Sequence, residues 1–139
     1  MKKRVLFLCT GNSCRSQMAE AWVRKLKGDS CDAYSAGVEK HGMNPYADKV
    51  MNEVGVSMDG QHSKLLSELE NISFDLVITV CSSANESCPI FTGKTRVVHV
   101  PFDDPPTLTK NEDDEEKKLA CYRQVRDKIA EYIKNTNDF

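Results

Sequence analysis

A cysteine and an arginine stand six positions apart near the start of the chain, Cys9 and Arg15, with Thr10, Gly11, Asn12, Ser13 and Cys14 between them. Each end of that stretch suits one task. A cysteine attacks as its thiolate, and the planar fork of an arginine grips two oxygens of a tetrahedral anion. A short loop between them leaves backbone N–H groups without partners, turned toward whatever the loop encloses. Gly11 is expected to supply an unusual backbone angle, and Asn12 to hydrogen-bond locally and hold the loop's shape. Ser16 is placed to donate to the sulfur. The same N–H groups, with the dipole of a helix that follows, stabilise a thiolate at Cys9. The stretch thus reads as an oxyanion held against a nucleophile by Thr10, Gly11, Asn12, Ser13, Cys14, Arg15 and Ser16. Cys14 has no evident role and reads as small buried filler. A bare C-x5-R spacing also arises from a buried cysteine and a solvated arginine; a strand before it and a helix after it make the pattern specific. It is neither the glycine-lysine nucleotide loop nor G-x-G-x-x-G.

Two further thiols, Cys81 and Cys88, close the stretch "CSSANESC". Metal binding would need a second pair of ligands, and His99 alone does not complete a site. Two unrelated buried cysteines are a second reading, and a redox relay is a third. A continuous helix would hold the pair about 10 Å apart, too far for a disulfide without backbone movement. The Ser-Ser-Ala-Asn content, with no large apolar anchor, is compatible with such movement.

The elements that must position these groups alternate in type. Arg4 to Cys9 is a continuous apolar run, as in a strand buried on both faces. Ser13 to Lys27 reads as a helix, with Met18, Ala21, Trp22 and Leu26 at helical spacing and Gly28 at its end. A short strand is expected at Asp32 to Ser35, closed by Gly37. Asn44-Pro45 is a cap and a first-turn proline that launch a helix through Val50, Met51 and Val54 to Gly55. A short helix over Ser63 to Leu69 and strands at Phe74 to Val80 and Thr95 to Val100 follow. "PFDDPPTLTKNEDDEE" reads as a surface loop leading into a last helix with Leu119, Tyr122, Ile129 and Ile133 on its apolar stripe. The alternation predicts an α/β fold: a four-stranded parallel sheet flanked by helices on both faces, with ligands at the carboxyl ends of the strands. Cys9 and Cys81 both fall at such ends.

A length of 139 residues suits one domain spanning 1–139. The formal charge of −2 provides no basic field for nucleic acid or an anionic membrane. No apolar stretch is long enough to span a bilayer, and Val5 to Leu8 is too short for a secretory signal, so a cytoplasmic protein is expected. In a reducing compartment the six cysteines read as reactive or buried thiols rather than three structural disulfides.

"CTGNSCRSQMAEAW" resembles the opening of the low-molecular-weight protein tyrosine phosphatase family. Its Ser-Gln-Met-Ala-Glu continuation is most similar to the thioredoxin-coupled arsenate reductases that share that fold. The resemblance runs along nearly the whole chain, through "YSAG", "HGMNP", "FDLVITVC", Cys88-Pro89, "FDDP" and "YRQVRD" in order. It implies that Cys9 attacks arsenate held by the loop and Arg15. Cys81 would then attack Cys9 and release arsenite, and Cys88 would attack Cys81 to leave a disulfide that thioredoxin reduces. No bound cofactor is implied, because electrons come from reduced thioredoxin; arsenate and thioredoxin are the expected partners, and the protein is expected to act as a monomer. The leaving oxygen needs a proton. Of the two acids in "FDDP" the family pattern selects Asp104, with Asp103 the alternative.

Two departures from the pattern carry weight. Family phosphatases have an aromatic residue after Asp-Pro, where Pro106 stands here, which disfavours the phosphatase reading. Some family reductases bind potassium through residues matching Asn12, Glu20 and Ser35 and an aspartate whose place Lys64 takes. An ammonium there implies no potassium site, and no metal site is expected. His41, His62 and His99 read as surface or hydrogen-bonded structural residues, and Cys31 and Cys121 as inert core residues. The remaining rivals are a phosphatase that needs neither Cys81 nor Cys88, and a non-catalytic oxyanion sensor, for which an activated thiol would be a hazard.

Overall fold

A computed structural model describes residues 2–81 and 95–139. The apolar run at the N-terminus forms β1 (Lys3–Cys9), whose last five residues are all buried. It is followed by α1 (Arg15–Lys27), β2 (Cys31–Gly37), α2 (Pro45–Glu53), a 3-10 turn at Leu66–Leu69, β3 (Leu76–Thr79), β4 (Arg96–His99), α3 (Pro105–Leu108) and α4 (Glu115–Asn135). The strands form one parallel sheet in the order β2-β1-β3-β4. Because β1 is central, the chain leaves it to one side for β2 and later reaches the other side for β3. This reversal opens a crevice at the carboxyl end of β1, the general ligand position in such sheets.

Alternate residues of β1 supply the two sides of the core, as the strand period of two requires. Val5 and Phe7 pack with Met18, Trp22, Val50, Met51, Leu119, Ile129 and Ile133 from α1, α2 and α4. Leu6 and Leu8 face Ala36, Leu69, Phe74 and Val77 in a smaller cluster under the 3-10 turn. Helix ends follow sequence chemistry. Asn44 caps α2 by accepting from the N–H groups of Tyr46 and Ala47, and Asp114 caps α4 by accepting from Lys117. Among the described residues no helix is long and apolar enough to cross a membrane.

Several boundaries differ from expectation. Helix α1 begins at Arg15, not Ser13, because Cys14 holds the capping position; Gly28 at its far end is in ordinary right-handed backbone. Strand β2 runs from Cys31 through Gly37, since full parallel pairing with β1 carries it past Ser35. Only Leu66–Leu69 of the expected short helix is helical, and as 3-10. The proline-rich stretch read as a loop contains α3, which Pro105 starts at the one helical position where its missing N–H costs nothing. Leu26 is partly exposed rather than core, and Cys121 is only partly buried.

Candidate functional site

The loop from Cys9 to Arg15 closes over the carboxyl end of β1, and Cys9 is 3% exposed at its base. Two donors converge on its sulfur. The Asn12 N–H lies 3.3 Å from Sγ, and the Ser16 hydroxyl 2.9 Å from it. Asn12 Nδ2 donates to the same Ser16 oxygen at 2.9 Å. When Cys9 is a thiolate it has no proton to give, and Ser16, which already accepts from Asn12, is then the donor of that pair.

Asn12, not Gly11, carries the unusual backbone, with φ of 50°. Asparagine tolerates the left-handed region because its short side chain bonds locally. Here Oδ1 accepts from Gln17 Nε2 and from the Lys64 N–H, both at 2.9 Å. Gln17 also reaches Asn12 O at 3.1 Å and His62 O at 3.0 Å, and its own Oε1 accepts from Gln61 Nε2 at 2.8 Å. Sequence reading passed over Gln17 and Gln61. Their signal was a pair of polar side chains that the fold buries, Gln17 wholly, and burial is not visible in residue type.

Thr10, Gly11, Ser13, Cys14 and Arg15 line an open pocket of about 570 Å³ with Cys9 at its floor, joined by His41, Met43, Asp104 and Pro106. Asn12 and Ser16 do not line it; they are fully buried and act on the loop from beneath. Cys14 is 3% exposed, and burial, with the nearby Asp104 charge, pushes its thiol far above the ordinary range. That suits a neutral filler rather than a second nucleophile.

Arg15 is 4% exposed and reaches Val80, Phe102 and Asp104 across the crevice. Its Nη1 donates to Val80 O at 3.2 Å and Phe102 O at 3.1 Å, and Nε faces Asp104 Oδ1 at 3.3 Å. The guanidinium is thereby pinned between the end of β3 and the loop before α3, with Asp104 beside it in the same pocket. Asp104 also accepts from the Thr107 hydroxyl at 2.7 Å. Asp103 is exposed and does not line the pocket.

Strand register places the second thiol. Leu8 pairs with Thr79, and Val80 N–H donates to Leu8 O at 2.9 Å, so Cys81 follows two residues past the end of β3, beyond the carboxyl end of β1. Cys81 is 1% exposed. Cys9, Cys14, Cys31, Cys81 and Cys121 are all thiols, without disulfides. Cys88 lies outside the described residues.

Beneath the loop, Lys64 Nζ donates to Ser35 O and His62 O, each at 3.0 Å, and lies 3.8 Å from Glu20 Oε1. Glu20 is buried and accepts from the Ser35 hydroxyl at 2.6 Å and from Arg24. An ammonium therefore lies between Glu20 and the Ser35 backbone beneath the loop. Burial lowers the Lys64 pKa while Glu20 opposes that shift. Among the described residues no group of three or more His, Cys, Asp or Glu is arranged to hold a metal ion.

The sequence model of the low molecular weight phosphotyrosine protein phosphatase family matches residues 4–137. An arsenate reductase of Halalkalibacterium halodurans is 47% identical over 133 residues, covering 96% of this chain and 94% of its own. The arsenate reductase of Bacillus subtilis is 44% identical over 133 residues, covering 95% and 93%. Among solved structures, an arsenate reductase in the phosphate binding state superposes with a TM-score of 0.78 at 29% identity, covering 96% of this chain and 95% of that one.

Proposed function

Because this chain belongs to the low molecular weight phosphotyrosine protein phosphatase family, in which it is an arsenate reductase, we propose that three of its thiols divide the reaction. Arsenate sits in the Cys9–Arg15 loop on the inward N–H groups. The Cys9 thiolate attacks arsenic, an As–S bond forms, and an oxygen leaves as water with a proton from Asp104. Asp104 suits that task because it stands in the pocket beside Arg15, whereas Asp103 faces outward. The Cys81 thiolate then attacks Cys9 Sγ. The As–S electron pair passes to arsenic, arsenite departs, and a Cys9–Cys81 disulfide remains. Cys88 attacks Cys81, frees the Cys9 thiolate and leaves a Cys81–Cys88 disulfide for reduced thioredoxin. Two electrons enter per turnover and no bound cofactor is needed.

The observation that carries this reading is the placement of a second buried thiol, Cys81, at the carboxyl end of the strand paired with that of Cys9. Its burial supports the need for Cys88: a thiol 1% exposed is a poor direct target for a protein reductant. The reading includes a cytoplasmic monomer with thioredoxin as its partner, and Lys64 in place of a potassium ion. A clear potassium dependence of arsenate affinity would overturn that last part.

The test is NADPH oxidation with arsenate, thioredoxin and thioredoxin reductase, comparing the unaltered protein with Cys81→Ser and Cys88→Ser. Turnover that either change abolishes supports the relay. No turnover, with equal hydrolysis of p-nitrophenyl phosphate by all three proteins, would refute it.

A further inference from the structure

The anion loop is held from outside by the segment between β2 and α2. Val38 and Glu39 N–H both donate to Thr10 O at 3.0 Å, His41 N–H donates to Gly11 O at 3.0 Å, and Asn44 N–H to Ser13 O at 3.2 Å. Every peptide carries a donor and an acceptor on opposite sides. Drawing these carbonyls outward therefore leaves the loop's N–H groups to face the pocket.

The His41 side chain adds a contact of its own. Its ring lies on Gly11 so closely that a Cβ there would come within 2.1 Å of Nδ1 and 2.5 Å of Cγ. A side chain at this position would displace the His41 ring, and Gly11 is not among the glycines with positive φ. The other ring nitrogen, Nε2, is 2.5 Å from Glu39 Oε2. The carboxylate thus fixes the ring, the ring bears on Gly11, and the same ring forms part of the pocket wall. With its side chain 52% exposed, His41 is not serving the core, so the core does not explain this arrangement.

We propose that His41, oriented by Glu39, is a positioning residue for the tetrahedral oxyanion: it braces Gly11 and closes the outer wall of the anion pocket. The inference rests on the anion-site reading above and deepens it. His41 works through Gly11, so it governs how tightly the oxyanion is held and not the thiol exchange that follows. A histidine that reads from the sequence as a structural surface residue thereby belongs to the substrate site.

Protection of Cys9 from iodoacetamide by inorganic phosphate, read by mass spectrometry, reports anion binding without turnover. Steady-state arsenate reduction then separates KM from kcat. For His41→Ala, the phosphate needed for half-protection and the arsenate KM should both rise about fivefold to tenfold, the size of a lost supporting contact, with kcat within about twofold. His41→Gln, whose planar amide can touch both Gly11 and Glu39, should recover most of that loss. Unchanged phosphate protection in His41→Ala overturns the inference. So does a fall in kcat that glutamine fails to rescue, which would mark general collapse of the loop. If phosphate does not protect Cys9 in the unaltered protein, the anion-site reading itself falls and this inference with it.

Discussion

Replacing Gln17 with methionine tests whether the buried amide network fixes the anion loop. Gln17 Nε2 has three acceptors within reach, Asn12 O at 3.1 Å, Asn12 Oδ1 at 2.9 Å and His62 O at 3.0 Å. An amide nitrogen has two hydrogens, so these contacts amount to two bonds, one of them shared. The bond received from Gln61 at 2.8 Å makes a third. None of the partners is orphaned by the change. Asn12 O keeps the Ser63 hydroxyl, Asn12 Oδ1 keeps the Lys64 N–H, His62 O keeps Lys64 Nζ, and Gln61 keeps Gln17 O. The cost is then the net worth of three bonds, about 1 kcal/mol each, without a desolvation penalty. Methionine fills the same volume and recovers about 1 kcal/mol of apolar burial. The expected loss is about 2 kcal/mol, a fall in the urea midpoint of about 1 M at an ordinary slope. Because the lost bonds hold Asn12 in its left-handed conformation, arsenate kcat/KM should drop as well. A stability loss below about 0.5 kcal/mol with unchanged activity would show that the other donors fix Asn12 unaided.

Three other outcomes follow from the geometry. Ser16→Ala removes a donor from the Cys9 sulfur and an acceptor from buried Asn12 Nδ2; alkylation of Cys9 at neutral pH and arsenate turnover should each slow about tenfold or more, and an unchanged alkylation rate would refute the assigned direction of the bond. Asp104→Asn should lower kcat about a hundredfold while phosphate still protects Cys9, and a kcat within about threefold of the unaltered protein would return the acid role to another group. Glu53, bound by Arg123 and also by Arg126, has its pKa lowered from 4.5 to about 2, chiefly by the Arg123 hydrogen bond. A carboxylate with a depressed folded value stabilises above its unfolded pKa and loses that contribution as pH falls through the folded one. The thermal midpoint should therefore fall between about pH 4.5 and pH 2, less steeply in Glu53→Gln; parallel profiles would show that the α2–α4 ion pairs contribute nothing.

Order and type of the strands and of α1, α2 and α4 were legible because their signals are local. The unbroken apolar run into Cys9 has the pattern of a doubly buried strand, and Asn44-Pro45 carries its own cap. The hidden parts depend on contacts made at a distance. Gly11 invites an argument from backbone freedom, yet it has no positive φ, and what a side chain there would meet is the ring of His41, thirty positions away. Asp103 and Asp104 are equivalent neighbours in sequence. Pro105 starts α3 just after them, and the turn sends one carboxylate beside Arg15 and the other to solvent. Gln17 shares a helical face with Glu20 and Arg24, and nothing in its residue type signals the burial it gains when the segment carrying Gln61 to Lys64 is laid over it.

A cysteine and an arginine around a bound tetrahedral anion suit hydrolysis as well as reduction, so the choice between them must lie outside the loop. A phosphoryl group on Cys9 can be resolved only by water, because phosphorus does not accept the S–P electron pair under these conditions. Arsenic in the corresponding adduct does accept it, but only if a second thiolate reaches Cys9 Sγ. On the proposed relay, the decisive feature is therefore Cys81, which follows Val80 just past the end of β3. Arg15 donates to Val80 O while its Nε stands beside Asp104. One side chain thus touches the acid that would release oxygen and the backbone that leads to the attacking thiol. Arg15→Lys, a single point charge without the planar fork, cannot hold Val80 O, Phe102 O and Asp104 together. It should impair reduction of arsenate more than hydrolysis of p-nitrophenyl phosphate, which needs no Cys81. Equal losses in the two assays would mean that Arg15 serves the anion alone.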